Sequence, residues 1–188
     1  MVDNIKNRNA IEAILLSSNI ESTIKENEEL LFELIPELKA EKGFDQKSVW
    51  HCYDVWEHTV QAIKSSRADA EIRLILLLHD IGKPFSCQED GDVRHFRGHA
   101  EKSAEIAQTA LKRLGYPSDK IDEYCFYIGK HATTITEDML DDENIGKYIK
   151  LLQIQYCDSS AYAPEYAKQI IEKLDTIKLM LETYKSRK

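Results

Sequence analysis

Glycine and proline are scarce, 7 and 4 in 188 residues, and no stretch alternates apolar and polar side chains as a half-buried strand would. That excludes a sandwich or barrel built from many tight turns. No apolar run approaches the ~18 residues of a membrane span. The opening MVDNIKNRNAIEAILL lacks the basic start and long apolar stretch of a secretory leader. The four cysteines, Cys52, Cys87, Cys125 and Cys157, form no CxxC pair and no disulfide-like spacing. These absences point to structural thiols in a reducing, cytoplasmic setting. Positive charge is also short: 25 Lys and Arg against 33 Asp and Glu leave a net charge of −8. Such a surface repels a phosphodiester backbone, which argues against duplex nucleic acid and leaves a small anionic substrate open.

Apolar residues three and four apart run through most of the chain instead. With 43% hydrophobic and 31% charged residues, it reads as all-α and long enough for a real core. Residues 1–45 are expected to form helices that pack on a unit spanning 46–188. Within the first part, residues 8–40 give two or three short helices; Pro36 ends or kinks one, and Gly43 closes the region. Longer helices are predicted over 48–65, 68–80, 99–114, 119–130, 145–157 and 164–185. Ser118 is expected to cap one, and Pro164 to sit in the first turn of the last. CQEDGDVRHFRGH reads as a polar loop turning at Asp90-Gly91, and TTITEDMLDDEN as an acidic loop or short helix. Trp50, Tyr53, Trp56 and Tyr162 are expected to fill the core.

The run Leu74-Ile75-Leu76-Leu77-Leu78 ends on His79-Asp80, inside LLHDIGKP. Both polar side chains are costly to bury without a partner. His79 suits the negative end of a helix dipole; Asp80 does not, and a buried carboxylate there needs a cation. Asp158 raises the same question, because it continues the apolar stripe of Leu151 and Ile154; the other reading is a cap for the turn DSSAYAP. His58 shares a predicted helix face with His51, Val55 and Ala62, and alone reads either as a hydrogen-bonded core imidazole or as a ligand. His99 opens one predicted helix and His131 ends another. Nitrogen and oxygen ligands of this kind suit Fe, Mn, Zn or Ni.

The order His58, His79-Asp80, His99, His131, Asp158 resembles the H…HD…H…H…D arrangement of two-metal members of the HD superfamily of metal-dependent phosphohydrolases. DVWEHT, LLHDIGKP, HFRGHAEKSA and YCDSSAY match it locally. LIPELKAEKGFDQ looks like the lead-in to the HD portion of bacterial tRNA nucleotidyltransferases, so the likeness covers roughly residues 30–165. Residues 1–30 leave no room for a transferase head, which turns the expectation away from tRNA. The resemblance implies an HD-domain helical bundle holding one or two divalent ions, Mg included. His58, His79, Asp80 and Asp158 would bind one ion, and Asp80 would bridge to a second on His99 and His131. His95 is an alternative to His99, whose GHAEKSA context matches better. The implied reaction is attack of a metal-activated water on a phosphate mono- or diester of a nucleotide or similar small phosphorylated substrate. Asp80 and Lys83 then hold catalytic positions, Lys83 matching the family's phosphate-contacting lysine. His51 and Arg97 are further candidates for substrate contact, and Gly82 is expected to let the backbone turn tightly. Two other readings share the scaffold: a di-iron oxygenase, resembling the inositol oxygenase branch, and a noncatalytic HD-type sensor.

Overall fold

The run from Leu74 to Leu78 is buried on every side, each residue at most 2% exposed, so its helix has to lie at the centre of the molecule. The computed structural model, which describes residues 2–187, places it there. The N-terminal helices are α1 (Val2–Leu15), α2 (Ile20–Glu26) and α3 (Glu28–Leu34), followed by a 3₁₀ turn at Pro36–Ala40. Next come α4 (Val55–Ser65), the central α5 (Ala70–Leu78) and a short α6 (Lys83–Ser86). A two-stranded antiparallel ribbon, β1 (Gln88–Asp90) and β2 (Val93–His95), precedes α7 (His99–Arg113) and α8 (Ser118–Lys130). After a 3₁₀ turn at Glu137–Met139, α9 (Ile145–Ser159) and α10 (Pro164–Ser186) complete the chain. The fold is all-α apart from the ribbon, and α1, α4, α7, α8 and α9 all pack on α5. None of the described helices is long and apolar enough to cross a membrane.

Several boundaries differ from the sequence reading, each for a local reason. The helix predicted over 48–65 starts at Val55, because Asp54 and Glu57 close a capping box: the Asp54 carboxylate accepts the Glu57 N–H at 2.7 Å and the Glu57 carboxylate accepts the Asp54 N–H at 3.3 Å. His51 therefore lies in a loop and not on a helix face with His58. In the same loop Trp50 and Tyr53 are 41% and 36% exposed; only Trp56 of the three joins the core. Asp69 caps α5 by accepting from Glu71 and Ile72. Pro117 takes the N-cap position of α8 with an extended backbone, which makes Ser118 the first helical residue and no cap. The loop predicted around Asp90-Gly91 closes into the ribbon, with Gln88 opposite His95 and Asp90 opposite Val93. Pro36 starts the 3₁₀ turn and Pro164 starts α10.

One hydrophobic cluster runs from Ile11 and Leu15 of α1 to Leu174 and Leu181 of α10. Arg73 of α5 fastens the first helix to it. Its side chain is only 4% exposed, and Nη1 donates to the Leu15 carbonyl at 2.6 Å and the Ser17 carbonyl at 2.8 Å. The guanidinium thus satisfies carbonyls that the end of α1 leaves free.

Candidate metal centre

α5 ends at Leu78, and His79 with Asp80 follow at the middle of the fold, 0% and 1% exposed. Gly82 brings α7 against them. Its φ of −81° is ordinary, so the expected tight turn is not the reason for glycine here. The reason is space: a Cβ would lie 2.4 Å from the Ser103 nitrogen and 2.6 Å from the His99 carbonyl oxygen. That approach delivers His99 from the first turn of α7. His131 comes from the end of α8, His58 from the middle of α4 and Asp158 from inside α9. Asp158 is helical, so it does not cap the turn that follows it.

Each of the four imidazoles is held from behind. Nδ1 lies 2.7 Å from the Leu76 carbonyl in His79, 2.8 Å from Phe96 in His99, 2.7 Å from Ile128 in His131 and 3.2 Å from Ala161 in His58. A carbonyl only accepts, so Nδ1 carries a hydrogen in all four, and Nε2 is the atom that each ring turns to the site. These Nε2 atoms converge on two carboxylates. Asp158 Oδ1 lies 2.8 Å from His58 and 3.5 Å from His79. Asp80 turns Oδ2 to His79 at 3.2 Å and His58 at 3.5 Å, and Oδ1 to His99 and His131, both at 3.5 Å. His99 and His131 bring their Nε2 atoms within 3.1 Å of each other. His79 Nε2 and Asp80 Oδ1 are buried without a hydrogen-bond partner.

Lone pairs facing lone pairs in a buried site need positive charge between them. In the ion-free chain a proton supplies part of it. Burial disfavours a charged His79, but Asp80 and Asp158 outweigh it and hold the imidazole well above its ordinary range. Burial likewise disfavours the Asp80 anion; His79 and Lys83 overcome it and hold that carboxyl well below its usual range. His58 and His79 do the same for Asp158. The donor set is nitrogen and oxygen only and fits divalent Fe, Mn, Zn or Ni. His58, His79 and Asp158 form one group with donor atoms within 4.8 Å of one another, and His79, Asp80 and His131 form another.

The remaining candidates border a cleft of about 490 Å³ that opens onto this cluster. Lys83 is buried; Nζ lies 2.6 Å from Asp80 Oδ2 and donates to Gln46 Oε1 at 2.8 Å. His51 lies in the cleft wall with both ring nitrogens unpartnered, its ring 4.7 Å from Tyr162 and 5.4 Å from His58. Burial, helped by Lys83, lowers its pKa to about 3, so the ring is neutral. Arg97 is exposed at the cleft, and His95 is exposed on β2, so His99 is the ring at Asp80. Tyr162 also lines the cleft instead of filling the core. Two residues were missed by sequence reasoning. Gln46 is 1% exposed and donates to the Tyr53 carbonyl while it holds Lys83. Glu41 is fully buried with both carboxylate oxygens unpartnered. Neither stands at a spacing that marks it.

Comparison with known proteins matches this sequence to a family. The HD domain matches residues 49–179. The CC-adding tRNA nucleotidyltransferase of Thermus thermophilus is 35% identical over 116 residues, 58% of this chain and 26% of that protein. The A-adding tRNA nucleotidyltransferase of Deinococcus radiodurans is 33% identical over 140 residues, 70% of this chain and 32% of that protein. The multifunctional CCA protein of Shewanella denitrificans is 33% identical over 93 residues. The chain thus spans between 22% and 32% of the length of these relatives. With the family match covering most of the chain and including every imidazole and carboxylate of the cluster, the protein belongs to the HD domain family.

Proposed function

We propose that this protein is a metal-dependent phosphohydrolase acting on a nucleotide or similar small phosphorylated substrate. The observation that carries the reading is the orientation of the cluster: four backbone-anchored imidazoles aim Nε2 at two carboxylates, beside a buried lysine at the floor of a cleft. His58, His79, Asp80 and Asp158 would hold one divalent ion, and Asp80, His99 and His131 a second. Such ions, Fe, Mn, Zn, Ni or Mg, lower the pKa of water towards ~7 and neutralise phosphoryl oxygens. Asp80 supplies a separate oxygen to each side, which one imidazole could not do. Lys83 places Nζ at Asp80 Oδ2, where negative charge on a phosphoryl group would build up. Neutral His51 offers a donor and an acceptor to the substrate from the cleft wall, and Arg97 a further cation at its mouth. The four free cysteines suit a reducing, cytoplasmic setting. Residues 1–45 serve as a helical brace on the unit 46–188.

The test is elemental analysis of protein purified without chelator or histidine tag, with Asp80→Ala alongside, followed by assays of phosphate release and oxygen consumption. Two ions per chain in the wild type, lost in the variant, with phosphate release and no oxygen uptake, is the expected result. Oxygen uptake without phosphate release would assign the scaffold to oxygenase chemistry. No ion after reconstitution would leave a sensor.

A further inference from the structure

α10 walls the cleft, and its start is fixed in place. The Ala163 N–H donates to the Trp50 carbonyl at 2.9 Å, and the Trp50 ring lies 4.2 Å from that of Tyr166. Beyond this joint Ile170, Leu174 and Ile177 recur three and four apart and all line the cleft. They form an apolar stripe about 10 Å long. Lys173 stands in the same stripe, and Arg97 reaches the cleft from the loop after β2. Among the described residues neither cation has an ion-pair partner. The chain carries a net charge of −8, yet among the described residues the one carboxylate lining the cleft is Asp158, which already faces His58 and His79.

Depth separates the cations. Lys83 is buried at the floor against Asp80, whereas Arg97 and Lys173 are exposed. A single phosphoryl group seated at Lys83, on the ions that Asp80 would hold, leaves the outer two unmatched. We infer that α10 is the recognition wall for a nucleotide bearing a second phosphoryl group, remote from the reacting one. Lys173 and Arg97 bind that second group while the base lies along Ile170, Leu174 and Ile177. The assignment of the reacting phosphate rests on the phosphohydrolase reading; the recognition wall rests on the cleft.

Stopped-flow tryptophan fluorescence, read before turnover on the Mn²⁺-loaded full chain, compares adenosine 3′,5′-bisphosphate with adenosine 5′-monophosphate. The bisphosphate is expected to bind about tenfold tighter, the worth of one charge-assisted contact. Lys173→Glu brings the ratio of the two affinities towards one, and Lys173→Arg preserves it. Lys178→Glu makes the same charge change at an exposed residue outside the cleft and keeps the preference. A wild-type ratio near one, an equal loss in Lys178→Glu, or no binding of either compound overturns the inference. If the ratio and its loss are seen but no ester releases phosphate, the hydrolase reading fails and the recognition wall stands.

Discussion

Replacing Gly82 with alanine sets two effects of opposite sign against each other. The backbone there, φ −81° and ψ −17°, is one that alanine adopts freely. Restricting the unfolded chain would then stabilise the protein by about 0.4–1 kcal/mol. Against this stands the space. The new Cβ would meet the Ser103 nitrogen at 2.4 Å, the His99 carbonyl oxygen at 2.6 Å and Ser103 Oγ at 2.8 Å. Non-bonded carbon contacts settle near ~3.5 Å, so the turn and α7 must part by roughly 1 Å. Two of the three obstacles are main-chain atoms and cannot rotate aside. Overpacking of this kind costs about 1–3 kcal/mol. The same displacement would stretch the bond from Gly82 N–H to Ser103 Oγ, now 2.9 Å. Destabilisation therefore wins, by a net of up to about 2.6 kcal/mol. The displaced segment carries His99, whose Nε2 sits 3.5 Å from Asp80 Oδ1, so the damage falls on the His99–His131 side of the cluster. Urea denaturation of the ion-free protein should show the loss, and elemental analysis should show one bound ion fewer. Ser103→Ala adds no atoms but leaves the buried Gly82 N–H without its acceptor, so it should cost about 1–3 kcal/mol and leave the metal content unchanged. A Gly82→Ala protein with wild-type stability and wild-type metal content would refute the claim that close approach of α7 builds this side of the site.

Three further outcomes are expected. Arg73→Ala removes both bonds from the guanidinium to the carbonyls of Leu15 and Ser17, and should lower stability by about 2–3 kcal/mol in thermal or urea denaturation; a change under half a kilocalorie would show that α1 is held by packing alone. Burial, with Asp80 adding to it, holds the Glu41 carboxyl well above its usual range. Above the unfolded value of about 4.3 the unfolded chain releases this proton and the folded chain keeps it, so Glu41 costs stability as pH rises towards its folded pKa. Glu41→Gln removes that cost, and its advantage in ion-free denaturation should be larger at pH 8 than at pH 5, growing by at most about 1.4 kcal/mol per unit. Equal differences at the two pH values would contradict the buried, protonated state. Gln46→Leu takes one of the two partners from Lys83 and should lower kcat/KM for phosphate release about tenfold with metal content unchanged; unaltered kinetics would make Gln46 a packing residue only.

How much of this was legible in the sequence depends on how far each cause lies along the chain. The apolar run before His79-Asp80 announced a buried helix end, and the fold places it at the centre. The start of α4 was also written locally, as Asp54 and Glu57 three apart, but His51 at helical spacing from Val55 and His58 drew the prediction too far upstream. Glu41 and Gln46 carried no such signal. Their burial follows from the loop folding back on α4, where Val55 N–H donates to the Phe44 carbonyl and Trp56 N–H to that of Glu41. Gln46 meets Lys83 across 37 residues, and no periodicity reports a contact of that separation.

The imidazoles divide along the same line. His79, His99 and His131 each anchor Nδ1 on the carbonyl three residues earlier, Leu76, Phe96 and Ile128. All three stand at a helix end, where the ring can reach back along its own chain, so residue order alone nearly specifies their orientation. His58 sits inside α4, where the backbone carbonyls nearby are taken up by the helix. Its anchor is the Ala161 carbonyl, 103 residues away, and its closest carboxylate is Asp158, 100 residues away. His58 is aimed by the packing of α9 on α4. Half of the cluster, His79, His99 and His131, is thus oriented by local chain geometry. The half built on His58 and Asp158 is oriented by the closure itself, which is why a His on an apolar helix face was ambiguous on its own and became a candidate ligand only in the order of the whole set.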